Sequence, residues 1–95
     1  MAIGVVVEEC VKEGQLEAYL EHMAETVELT KKEDGCIAYD IYEDADGSGK
    51  IAILELWESQ EALDNHMASE HFQRLIPSAV DFLSEPHGIR VFNKL

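Results

Sequence analysis

Residues 35–58, GCIAYDIYEDADGSGKIAILELWE, decide the fold. Both ends of the stretch place apolar side chains at strand-like spacing and are rich in β-branched and aromatic residues. Between them, ADGSG is a cluster of turn formers, so residues 35–44 and 50–58 read as the two arms of a hairpin. A hairpin alone buries too little to be stable, so the flanking segments must cover it.

Upstream, AIGVVVEEC (residues 2–10) is apolar on both alternating faces as far as Val7, the pattern of a strand covered on two sides. Leu16, Leu20, Met23 and Val27, with Tyr19 alongside, recur at helical spacing and predict an amphipathic helix ending near Lys32. Lys31 and Lys32 then sit at the negative end of its dipole. Downstream, Ser59 is a helix cap that opens a short helix over 60–67. Ser69 caps another, whose stripe is Phe72, Leu75, Ile76, Ala79, Val80 and Leu83; Pro77 falls inside the stripe and predicts a kink or break near Ser78. HGIRVFNKL, after Pro86, is a closing strand. This order predicts one α+β domain over residues 1–95, a ferredoxin-like βαββαβ fold with an antiparallel sheet carrying its helices on one face. The other face keeps apolar side chains, so a second copy is expected to pack sheet against sheet, giving a homodimer.

Composition narrows the partners. Twenty acidic against seven basic side chains give a formal charge of −13, which repels phosphate backbones and anionic lipid, so neither nucleic acid nor a membrane surface is expected. No apolar run approaches a membrane span, and MAIGVVVEEC lacks the basic start of a signal peptide, so a cytoplasmic location is expected. Cys10 and Cys36 lie in apolar strand contexts with neither CxxC nor histidine spacing and read as reduced, buried thiols.

HMASEHF (66–72) raises the question of a metal site. On a continuous helix, positions five apart are rotated by roughly 140°, so His66 and His71 would not converge on one ion. Ser69 caps a new helix between them and lets them point independently. No metal is therefore expected.

DGCIAYDIY, ILELWESQEALDNHMASEHF and IRVFNKL together resemble the antibiotic biosynthesis monooxygenase family, which includes quinol monooxygenases. The most specific part is the E-x-W-E-S, A-L, H, S, H-F succession from Glu55 to Phe72. The resemblance implies a dimeric α/β-barrel, a pocket between each protomer's sheet and helices, and oxidation of quinol-type or polycyclic phenols by O2 without flavin, haem or metal. RVFNKL also resembles the end of a relative that isomerises phosphorylated autoinducer-2. That substrate wants a basic clamp, for which Arg74 and Arg90 are the better-placed cations. Haem-degrading relatives carry an iron-ligating histidine where this chain has Ile76.

On this reading His66 is the catalytic base, because an imidazole titrates where such chemistry operates. Trp57, on one strand face with Ile51, Ile53 and Glu55, stacks on a flat substrate and donates a hydrogen bond to it, or is simply core. Glu55 orients His66 or Trp57, or pairs across the sheet with a cation. Tyr39, in line with Ile37 and Ile41, lines the pocket; His71 and Phe72 close its rim, unless Phe72 is simply core, and Asn65 beside His66 is a further substrate-binding candidate. His22 and His87 are expected to face solvent. The rival to an enzyme is a dimeric small-molecule-binding module without turnover.

Overall fold

A computed structural model describes residues 1–95. Its elements are β1 (Ile3–Cys10), α1 (Leu16–Lys31), β2 (Cys36–Glu43), β3 (Lys50–Trp57), α2 (Gln60–Met67), α3 (Glu70–Ala79), a 3-10 turn (Val80–Phe82) and β4 (Gly88–Asn93). The four strands form one antiparallel sheet in the order β2-β3-β1-β4, the expected ferredoxin-like arrangement.

Alternation assigns the two faces. Ile3, Val5 and Val7 of β1 and Ile51, Ile53, Glu55 and Trp57 of β3 point towards the helices and are buried. Leu54, Leu56, Tyr42 and Phe92 point the other way and are exposed, leaving the second sheet face apolar and open. In β2 the alternation slips: a register irregularity between Cys36 and Ala38 leaves Ile37 exposed while Tyr39 is buried. Ile37 therefore does not share the Tyr39 face, because a bulge adds a residue to one strand.

The face that α1 buries also differs from the expected one. Tyr19, Met23, Thr26 and Thr30 are buried, whereas Leu20 is exposed. The hydroxyls of Thr26 and Thr30 are fully enclosed without a hydrogen-bond partner. Ser59 and Ser69 cap α2 and α3 as read from sequence, accepting from the amides of Ala62 and Phe72. Pro77 does not break α3. The helix continues to Ala79 and only then tightens into the 3-10 turn, a common way for a helix to end.

Gly35, in the turn from α1 to β2, fixes how closely α2 approaches. Its φ is +84°, and a Cβ there would lie 2.6 Å from Cβ of Ala62. Only glycine suits both constraints, and the contact brings the turn carrying Glu33 against α2, which carries His66.

Candidate active site

Between the sheet and α1, α2 and α3 lies a cavity of about 370 Å³. Its wall is mostly apolar, from Val5, Val7, Ile53, Leu63, Phe72 and Ile76 among others, with Glu9, Glu55, Gln60, His66 and His87 as its polar members. That size and polarity suit a small, largely apolar guest. No lysine or arginine lines it. Arg74 is held at the surface by Glu25 and Glu70, each at 2.8 Å, and the Arg90 guanidinium lies over the Phe92 ring at 4.9 Å on the open sheet face. The clamp that a phosphorylated substrate would want is thus absent from the cavity.

His66 is the centre of the site. It is 2% exposed, and its ring lies 4.6 Å from the Trp57 ring, with Phe72 edge-on at 5.1 Å and Tyr39 at 5.8 Å. Its Nδ1 is 2.6 Å from Oε2 of Glu33. Its Nε2 has no hydrogen-bond partner in the protein and is not among the fully enclosed unpaired atoms, so it opens to the cavity that the residue lines. Burial pushes the imidazole below its ordinary pKa, opposed by Glu33. The ring is therefore neutral near pH 7, as a proton acceptor must be.

The two histidines of HMASEHF converge after all. The helix break at Ser69 turns His71 inward, and its Nε2 lies 3.0 Å from the same Glu33 oxygen and 3.3 Å from Oγ of Ser69. Glu33, His66 and His71 have donor atoms within 4.8 Å of one another, the composition of a divalent-cation site. Yet one oxygen already meets both rings at hydrogen-bond distance, so an ion would have to displace both contacts.

Glu55 lies opposite Val5 and Tyr39 in the sheet, with no cation across from it. Its partner is the Trp57 indole, which donates to Oε1 at 3.0 Å. Burial raises its carboxyl pKa to about 7 against the opposing effect of that bond. The expected cross-sheet ion pair is not formed. Trp57 itself is fully buried behind the cavity wall with its N–H committed to Glu55, so the expected hydrogen bond to substrate is not available from this position.

Tyr39 and Phe72 line the cavity; burial pushes the Tyr39 phenol above its ordinary range. Asn65 is exposed and does not reach the cavity, because it follows the outward side of α2. His71 supports Glu33 from outside the lining. His22 is not solvent-facing as expected: its Nε2 is 3.1 Å from the Leu75 carbonyl and from Oγ of Ser78, tying α1 to α3. His87 is exposed yet reaches the cavity rim. Sequence reasoning missed Glu33 and Glu9. Glu9, which lines the cavity, accepts from the Tyr19 hydroxyl. Both thiols are raised in pKa, Cys10 by its hydrogen bond to Glu85 and Cys36 by burial, and neither is in a disulfide; neither is fully buried as expected, because they stand at the end of β1 and the start of β2.

A family model for antibiotic biosynthesis monooxygenases matches residues 2–77. The chain belongs to that family. The Mycobacterium tuberculosis protein named "Putative monooxygenase Rv0793" is 38% identical over 66 residues, covering 70% of this chain and 64% of Rv0793. An uncharacterised Synechocystis protein, sll1783, is 28% identical over 82 residues, 86% of this chain but 56% of its own length. The match thus spans less than two thirds of either of these curated relatives. A crystal structure of a conserved protein from Methanosarcina mazei superposes with a TM-score of 0.96 at 29% identity, covering 100% of this chain and 94% of that one. The Rv0793 structure gives 0.91 at 27% identity, covering 100% and 96%. No helix in this family member is long and apolar enough to cross a membrane.

Proposed function

We propose that this family member is a monooxygenase that oxidises quinol-type or polycyclic phenolic molecules with O2, using His66 as base and no cofactor. The observation that carries the reading is a buried imidazole whose free Nε2 opens into an apolar cavity. O2 reacts slowly with a neutral phenol but accepts an electron readily from its anion. The protein's part is then to remove the hydroxyl proton to Nε2 and hold the anion away from water. The bound anion passes an electron to O2, the two radicals combine as a hydroperoxide on the ring carbon, and its O–O bond then breaks, leaving one oxygen on that carbon. The other oxygen leaves as water with the two hydrogens lost by the substrate, which is the only reductant required.

Phe72 and Tyr39 would flank a flat ring, and Glu55, titrating near pH 7, faces the same space to accept from or donate to a second substrate oxygen. The exposed sheet face would be covered by a second copy, and we place the protein in the cytoplasm as a homodimer. A phosphorylated isomerase substrate is disfavoured by the lack of lining cations. A binding module without turnover would use the same cavity, so activity must separate the two.

The test is oxygen uptake by metal-stripped protein with a panel of reduced naphthoquinones. Uptake above the protein-free rate for at least one compound is expected. Rates equal to autoxidation throughout, despite binding, would leave the binding-module reading.

A further inference from the structure

We infer that Glu33 is a positioning residue for His66, holding its imidazole in the tautomer that leaves the lone pair on the cavity side, and that His71 holds Glu33 in turn. The inference rests on the assignment of His66 as base under the proposed function.

A carboxylate oxygen can only accept, so the 2.6 Å contact requires the proton to sit on Nδ1 of His66. Nε2, which has no protein partner and opens to the cavity, is then the acceptor. Glu33 is the one hydrogen-bond partner of the His66 ring, so without it no bond selects between the two tautomers, and the wrong one would present an N–H to a substrate hydroxyl that needs a base. Glu33 also faces the charge that appears when His66 takes up a proton, at a position already formed and requiring no rearrangement.

Two features keep the carboxylate in place. Nε2 of His71 donates to the same oxygen at 3.0 Å, while Oγ of Ser69 lies 3.3 Å from that nitrogen and donates to the His66 carbonyl at 2.6 Å. Gly35 permits the turn to approach α2, as described above. Glu33 and His71 are 15% and 13% exposed, so the contacts are only partly screened by water. The titratable groups about His66 are Glu33 from the turn, His71 from α3, Tyr39 from β2 and, beyond the Trp57 ring, Glu55 from β3.

The test is the tautomer itself, read by long-range proton–nitrogen correlation in protein labelled with 15N in the histidine rings, in parallel with kinetics. Wild type should show His66 protonated on Nδ1. Glu33→Gln is isosteric, but its amide can turn an N–H towards Nδ1, so His66 should move to the Nε2–H form or a mixture. Its kcat should fall about 10- to 100-fold with KM nearly unchanged. Because Glu33 raises the His66 pKa, the acid limb of the Glu33→Gln rate profile should also move to lower pH. Glu33→Asp, which retains the carboxylate, should recover the Nδ1–H form and most of the rate. The inference is overturned by an Nε2–H wild type, by an Nδ1–H form unaffected in Glu33→Gln, or by wild-type signals that change with a chelator, which would put an ion between the groups. If the tautomer behaves as stated but no quinol is turned over, the positioning holds and the proposed function fails.

Discussion

On the helix-covered face of the sheet, Glu9, Tyr39 and Glu55 are set among valines and isoleucines around a cavity, whereas on the opposite face Leu54, Leu56, Phe92 and Tyr42 lie 41 to 52% exposed. For a chain in isolation the hydrophobic effect favours the reverse distribution. Each face therefore carries residues that folding alone does not explain. The covered face encloses polar groups at a desolvation cost, groups that the proposed chemistry would use, and the open face presents an apolar surface that a second copy would bury. Changes on the first should alter turnover and leave assembly intact; changes on the second should do the opposite.

The largest effect expected is on the covered face. His66→Ala should reduce turnover by about 10²- to 10⁴-fold while ligand binding, followed by quenching of the single tryptophan, persists. Unchanged kinetics would move the base elsewhere. On the open face, Leu54→Lys combined with Leu56→Lys should weaken self-association by about 100-fold or more, since two charges would have to be desolvated in the interface. Light scattering checks this, and a mass unaffected by the change would break the contrast between the faces.

A smaller and pH-dependent effect should follow from Glu55. Its pKa is raised from an ordinary 4.5 to about 7, so the folded state holds this proton more tightly than the unfolded chain. The sign is that stability from this group is fully present below about pH 4.5 and is lost as pH rises through 7, a change of about 3 kcal/mol. His66, depressed by burial, acts in the opposite direction over part of that range. The difference between wild type and Glu55→Gln isolates the carboxyl: the variant should gain relative stability from pH 5 to 8, measured by urea unfolding. A constant difference would show that Glu55 titrates normally. Smallest of all, Thr26→Val removes a hydroxyl enclosed without a partner and should raise stability by about 1 kcal/mol. A loss on urea unfolding would show that the hydroxyl is bonded.

The strands were legible because a period of two is visible within any eight residues, and the caps because Ser59 and Ser69 act on amides three residues away. The phase of α1 was not, since threonine carries little apolar signal and the eye follows Leu20 rather than Thr26 and Thr30. The bulge that turns Ile37 outward depends on pairing with β3, which no local pattern encodes. His66, Tyr39, Glu55 and Phe72 were found as candidates because the family resemblance and strand faces indicated them. Glu33 was not, because its partners lie 33 and 38 residues away and meet it only once Gly35 lets the turn reach α2. The break at Ser69 was itself legible, but read locally it only freed His66 and His71 to point independently; that it aims both rings at one oxygen depends on Glu33, far off in the chain.

Proton removal inside the cavity, the step on which the proposed chemistry depends, can be seen without oxygen. A reduced naphthoquinone mixed anaerobically with the protein near neutral pH should show the absorption band of its anion with wild type and lack it with His66→Ala, both proteins binding the compound. A neutral-form spectrum in bound wild type, or an anion band that survives in His66→Ala, would contradict the account.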